Sequence, residues 1–232
     1  MGSRSFCSRQ AELSGLSDCE YTIREFHPSQ ILDDSAYTLS SALTDRQIQS
    51  PNMPEICPIS DYECHVIQKT WCDDFETMYH LAITIYDGMF TEDPSMRQLF
   101  NMVPSRQRKK SSADMEENVG FRKMSLKLVQ TLDTVTRNIR SYQTFVVPTL
   151  LEIGRMHCRF AHRGFQPEHW TTMASAAKKA LMGHIRELES LSEEEVGVAS
   201  EAWRVLLDHI IATTQHGFNE GLKEQHNLKE LT

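Results

Sequence analysis

One histidine stands on a stripe of residues that is otherwise apolar. In the stretch LLEIGRMHCRFAHRGF, residues 150–165, Leu150, Ile153, His157 and Phe160 follow one another at steps of three, four and three. That spacing is one face of a helix. A buried imidazole needs partners for its two ring nitrogens. Two kinds of partner fit. A polar group of the protein would make His157 a satisfied core residue, and a metal ion would make it a ligand. No catalytic constellation competes for attention: the chain has no Gly-rich phosphate loop, no G-x-S-x-G elbow and no H-E-x-x-H pair. No catalytic residue is therefore assigned, and the chain is not read as an enzyme. Its six cysteines, Cys7, Cys19, Cys57, Cys64, Cys72 and Cys158, form no C-x-x-C pair and no zinc spacing.

The elements that must hold His157 are helices. Ser60 and Glu63 have capping-box spacing. Ile67, Trp71 and Phe75 then recur every four residues, and Met78, Ala82, Ile85 and Met89 share a face in the segment from Glu76 to Thr91. Asp93 and Pro94 read as an N-cap with proline in the first turn of a short helix that ends at Phe100. After a polar loop containing RQRKK, the cleanest helix in the chain carries Phe121, Met124, Leu128, Leu132, Val135 and Ile139. Beyond the His157 helix come a long helix with Trp170, Met173, Ala177 and Leu181, and a last one capped by Ser192 and Glu195 that carries Trp203, Leu207, Ile210 and Phe218. The expected architecture is all-α, about seven helices over residues 58–222.

Residues 1–57 are Ser-rich without a sustained period and are expected to form a mostly disordered extension. Residues 223–232 are expected to form a polar C-terminal tail. The net charge of −8 speaks against a nucleic-acid partner. No 18-residue apolar run and no secretory signal are present, so a cytoplasmic location is expected. The N-terminal MGSR departs from the myristoylation pattern, with Phe6 where Ser or Thr is usual. An acylated N-terminus, with Cys7 as a second site, is the membrane-tethered alternative.

The order and spacing of these residues resemble the globin family over residues 58–222. Trp71, Pro94 and Phe100 stand at separations of 23 and 6 residues. They are similar to the first-helix tryptophan, the proline of the short third helix and the haem-stacking phenylalanine of vertebrate globins. LLEIGRMHCRF resembles the proximal helix of neuroglobin-like globins, and Trp203 fits the tryptophan of their last helix. The Ser-rich extension and the long corner HCRFAHRGF resemble divergent intracellular globins of nematodes.

The resemblance implies a globin fold, haem b as cofactor and His157 as the proximal iron ligand. It implies a diatomic gas as the bound partner, oxygen foremost, with nitric oxide or carbon monoxide also possible ligands, and hence a role of the oxygen-binding or oxygen-transport kind. It also implies a pocket. Ile153 packs under the cofactor with Phe160 or Phe165 at its edge, and Lys127 and His162 are candidates to meet a haem propionate. Phe121 and Leu128 flank the distal position, which Met124 occupies in place of the usual histidine. No histidine occurs between Phe90 and Met156. A thioether cannot donate a hydrogen bond to a bound gas. Tyr86, fourteen residues before Phe100, matches the inward position of the second helix, where several nematode and bacterial globins carry a tyrosine that bonds the ligand. Two other functions follow from the same residues. If Met124 ligates the iron, a six-coordinate His/Met centre suits electron transfer with a redox partner. If no cofactor binds, the helices serve as an interaction module.

Overall fold

The computed structural model describes residues 59–100 and 119–230. The expectations about the extension, its acylation and the RQRKK loop lie outside the described residues. Within them the chain forms six α-helices: α1 (Asp61–Thr70), α2 (Phe75–Glu92), α3 (Val119–Arg137), α4 (Val147–His157), α5 (Glu168–Arg186) and α6 (Glu193–Glu230). A 3-10 segment, Pro94–Phe100, follows α2 and completes the expected seven. Two other 3-10 segments, Ile139–Ser141 and Cys158–Arg163, and a π turn, Tyr142–Val146, bracket α4. No strand is present among the described residues.

Helix starts follow the side chains that can satisfy free backbone N–H groups. At α1 the Glu63 N–H donates to Ser60 Oγ at 3.3 Å, and the Ser60 N–H donates to Glu63 Oε2 at 2.7 Å. Ser192 and Glu195 repeat this reciprocal pair at α6, at 3.0 and 3.2 Å. At α2 the Asp74 carboxylate accepts from the Thr77 backbone N–H at 2.9 Å.

That last cap corrects the four-residue stripe through Ile67, Trp71 and Phe75. The helix stops at Thr70, Trp71 is extended, and a new helix begins at Phe75, which is 40% exposed. Aspartate competes with the backbone inside a helix and favours its N-terminus, so the Asp73–Asp74 pair breaks the stripe. Freed from it, Trp71 turns to the core. Its ring stands 6.0 Å from that of Trp203, and its indole N–H donates to Asp133 at 2.8 Å.

The helices pack in two groups. α6 lies along α4 and α5, and α2 lies against α5 and α3. Trp203, in the first third of α6, is fully buried, and its indole N–H donates to Thr70 Oγ1 at 2.7 Å. The α6 helix continues to Glu230. No helix among the described residues is long and apolar enough to cross a membrane.

Candidate functional site

His157 is the last residue of α4. Its Nδ1 stands 2.7 Å from the carbonyl oxygen of Ile153, one turn earlier. A carbonyl can only accept, so Nδ1 carries the proton and donates. The lone pair of the neutral ring is thereby assigned to Nε2. Burial pushes the imidazole pKa below its ordinary value. The Ile153 bond opposes that shift, and the positive charges of Lys127 and Arg159 reinforce it. The ring is held neutral with one nitrogen available to an electrophile. Such a tethered imidazole is the usual form of a metal-bound histidine.

Three aromatic rings surround it. Their centroids lie 5.9 Å (Phe160), 5.8 Å (Phe165) and 5.0 Å (Trp170) from that of His157. The chain continues from α4 as a 3-10 segment, so Phe160 follows His157 by one tight turn. Gly164 then takes φ 89°, a left-handed conformation that suits glycine, and turns the chain back. The Phe165 N–H donates to the Phe160 carbonyl at 3.3 Å, which closes that turn. Phe160 is 37% exposed, with the Arg163 guanidinium 5.3 Å over its ring. Ile153 is buried. His162 is exposed and Cys158 is buried.

A second aromatic cluster forms where α2, α3 and the Pro94–Phe100 segment meet. Tyr86 is buried on α2, with ring centroids of Phe90, Phe100 and Phe121 at 6.1, 5.8 and 5.6 Å. Burial raises its phenol pKa well above the ordinary tyrosine range, so the hydroxyl keeps its proton. Phe100 is half-buried and edge-on to Phe90 at 5.5 Å. On α3, Met124 and Leu128 are half-buried against the core, while Lys127 is exposed.

The structure thus brings Tyr86 and Phe100 into one cluster, and His157, Ile153, Phe160 and Phe165 into another. The Pro94–Phe100 and Cys158–Arg163 segments touch, so the two clusters are neighbours. Lys127 joins neither cluster by contact, but its charge reaches His157. α3 and α4 do not pack on one another as their neighbours do; α3 lies on α2 and α4 on α6. Trp170 and Phe90 are ring neighbours of the two key side chains that sequence reasoning did not single out. Phe90, one turn after Tyr86, was accessible to helical spacing. Trp170 was not, because only the tight corner carries α5 back to His157.

Comparison with known proteins gives the arrangement a family. A model of the family described as Globin matches residues 83–214. Globin-related protein glb-13 of Caenorhabditis elegans is 27% identical over 165 residues, which are 70% of this chain and 54% of that protein. Cytoglobin-2 of Danio rerio is 25% identical over 113 residues, 49% of this chain and 60% of the relative. The chain therefore spans little more than half the length of the curated relatives it matches. Among solved structures, Globin-like protein Glb-12 from C. elegans superimposes with a TM-score of 0.58 at 14% identity, covering 72% of this chain and 92% of that one. A hexacoordinated heme protein from an anhydrobiotic tardigrade gives 0.55 at 17% identity, covering 70% and 96%. At such identities the structures show a shared fold, while the family model spans more than half of the sequence: the chain belongs to the globin family.

Proposed function

We propose that this globin binds haem b through His157 and reversibly binds a diatomic gas, oxygen foremost. The observation that carries the reading is the state of His157. Its Nδ1–H is spent on the Ile153 carbonyl at 2.7 Å, and the half-buried ring presents Nε2 as a neutral donor. The aromatic cage of Phe160, Phe165 and Trp170 restrains rotation of that ring and keeps water from its edge. When bound, haem supplies an iron with a coordination position for a gas such as oxygen, nitric oxide or carbon monoxide.

Tyr86 supports the gas-binding half of the reading. Tyr86 is buried and its phenol keeps its proton, so it is a hydrogen-bond donor that a bound gas could use. The rings of Phe90, Phe100 and Phe121 lie around the Tyr86 ring, and a hydrogen bond in such apolar surroundings is stronger than in water. Ile153 and Leu128 supply apolar walls, and Met124 fills space without donating. Lys127 and His162, both exposed, are in keeping with contacts to the propionates at the rim.

One observation favours a second reading. Met124 is half-buried against the core, and its thioether is a competent iron ligand. One of the similar solved structures is itself a hexacoordinated heme protein. A His157/Met124 centre would serve electron transfer. Reduced-state spectra of the haem-loaded protein, with and without Met124→Leu, test the choice. Gas binding predicts that the variant leaves the spectrum unchanged, and sharp six-coordinate bands that vanish in the variant would overturn it.

A further inference from the structure

The helix that ends in His157 lies unusually close to α6. A Cβ placed on Gly154 would stand 2.0 Å from the Thr214 carbonyl oxygen and 2.7 Å from the Phe218 nitrogen. One on Gly217 would stand 2.1 Å from the Leu151 carbonyl oxygen. The backbones of the two helices meet here with no room for a side chain between them. The contacts run in step along both helices, Leu151 with Gly217, Gly154 with Thr214 and Phe218, and Cys158 with Gly221.

The third contact differs from the other two. There the backbone gap is filled by a side chain: a Cβ on Gly221 would meet the Cys158 Sγ at 2.6 Å. The same Sγ is 3.0 Å from the Phe218 carbonyl oxygen, to which the thiol donates. Cys158 adjoins His157 in the chain, and Phe218 packs on Phe165 and Trp170, two rings of the cage around His157.

We infer that Cys158 and Gly221 form a positioning pair that sets where His157 presents its Nε2 to the iron. Backbone contacts have no rotamers through which to yield, so a shift of α4 against α6 passes to His157 without slack. The first two contacts fix how closely the helices lie. The Cys158–Gly221 contact, one residue from the ligand, sets the tilt of the last turn. The inference rests on the proposed role of His157 as ligand.

The test is the iron–histidine stretching band, read by resonance Raman after photolysis of the carbon monoxide complex of the haem-loaded protein. Gly221→Ala should lower and broaden the band, because the new methyl drives Cys158 and the end of α4 away from α6. The double variant Gly221→Ala with Cys158→Ala should restore it, since removing Sγ makes room for the methyl. Cys158→Ala alone should also broaden the band, because the residue next to His157 then loses its Sγ contacts with α6. If Gly221→Ala does not fold, Cys158→Val crowds the same gap from the other side and should shift the band in the same direction. A band that stays in place in the crowded variant, while urea unfolding of the haem-free protein shows lost stability, would make the contact merely structural and overturn the inference. Absence of an iron–histidine band in the unmodified protein would instead strike down the role of His157 itself, and this inference with it.

Discussion

Under the proposed function, Tyr86 and Met124 would offer a bound gas different chemistry. Tyr86 is buried, and its hydroxyl, held protonated by its surroundings, is a donor. Met124 is half-buried and can only accept. A net hydrogen bond in such a place is worth roughly 1 to 2 kcal/mol. Tyr86→Phe should therefore speed oxygen dissociation by roughly tenfold, since about 1.4 kcal/mol is one decade. Met124→Leu, alike in volume and equally unable to donate, should change it much less. Stopped-flow oxygen displacement by carbon monoxide measures both. A large effect confined to Met124→Leu would contradict the assignment of Tyr86 and favour the six-coordinate reading. The shared face of His157 and Ile153 was legible in the sequence because a fixed helical separation carries it, whereas the place of Tyr86 relative to Phe100 was only what the globin resemblance implied. Trp170 at 5.0 Å from His157 was not legible. Its approach depends on the Cys158–Arg163 segment and the turn at Gly164, where no periodic pattern says how far the chain doubles back.

Between α1 and α2 a single carboxylate decides where a helix begins. Asp74 accepts from the Thr77 hydroxyl and backbone N–H, and these bonds lower its pKa below the ordinary 3.8. Asp74→Ala should cost about 1 kcal/mol, the usual worth of such a cap. The sign with pH follows from the lowered native value. The cap contributes fully above the unfolded carboxyl's 3.8, and its contribution is lost as pH falls through the lower native value. Urea unfolding of the variant and the unmodified protein should thus differ at neutral pH and converge in strong acid. A difference that persists in strong acid would show that the carboxylate is not the source. Asp133 ties α3 to α1. It accepts from the Trp71 indole N–H at 2.8 Å and from Arg137 Nε at 2.8 and 2.9 Å. Asp133→Ala should lower stability by about 2 to 3 kcal/mol by stranding a part-buried donor. Asp133→Asn, which keeps an acceptor, should recover part of the loss in the same unfolding experiment. Equal losses in the two variants would contradict this account. Both capping boxes could be read from Ser-x-x-Glu spacing. The 3-10 form of Pro94–Phe100 and the π turn before α4 could not, because tertiary packing rather than local propensity selects them.

For the molecule as a whole, seven helical segments and their order were legible because each buries an apolar stripe of regular period. The crossing of α4 and α6 was not: Gly154 and Gly217 read locally as weak points in helices, and only the assembled fold shows that nothing larger fits. The Ser-rich residues 1–57 carry no comparable pattern. Limited proteolysis of the haem-loaded protein should remove them and leave a fragment, starting near residue 58, that keeps its haem. A fragment that loses haem on cleavage would give the extension a structural role. The central claim is that His157 Nε2 holds the iron. It is tested most directly by titrating haem into the unmodified protein and into His157→Gly while following the absorption spectrum. The unmodified protein should take up one equivalent with a sharp Soret band. The variant should take up haem weakly, and added imidazole should restore the band by entering the space left by the side chain. Stoichiometric uptake by His157→Gly with an unchanged spectrum in the absence of imidazole would contradict the account.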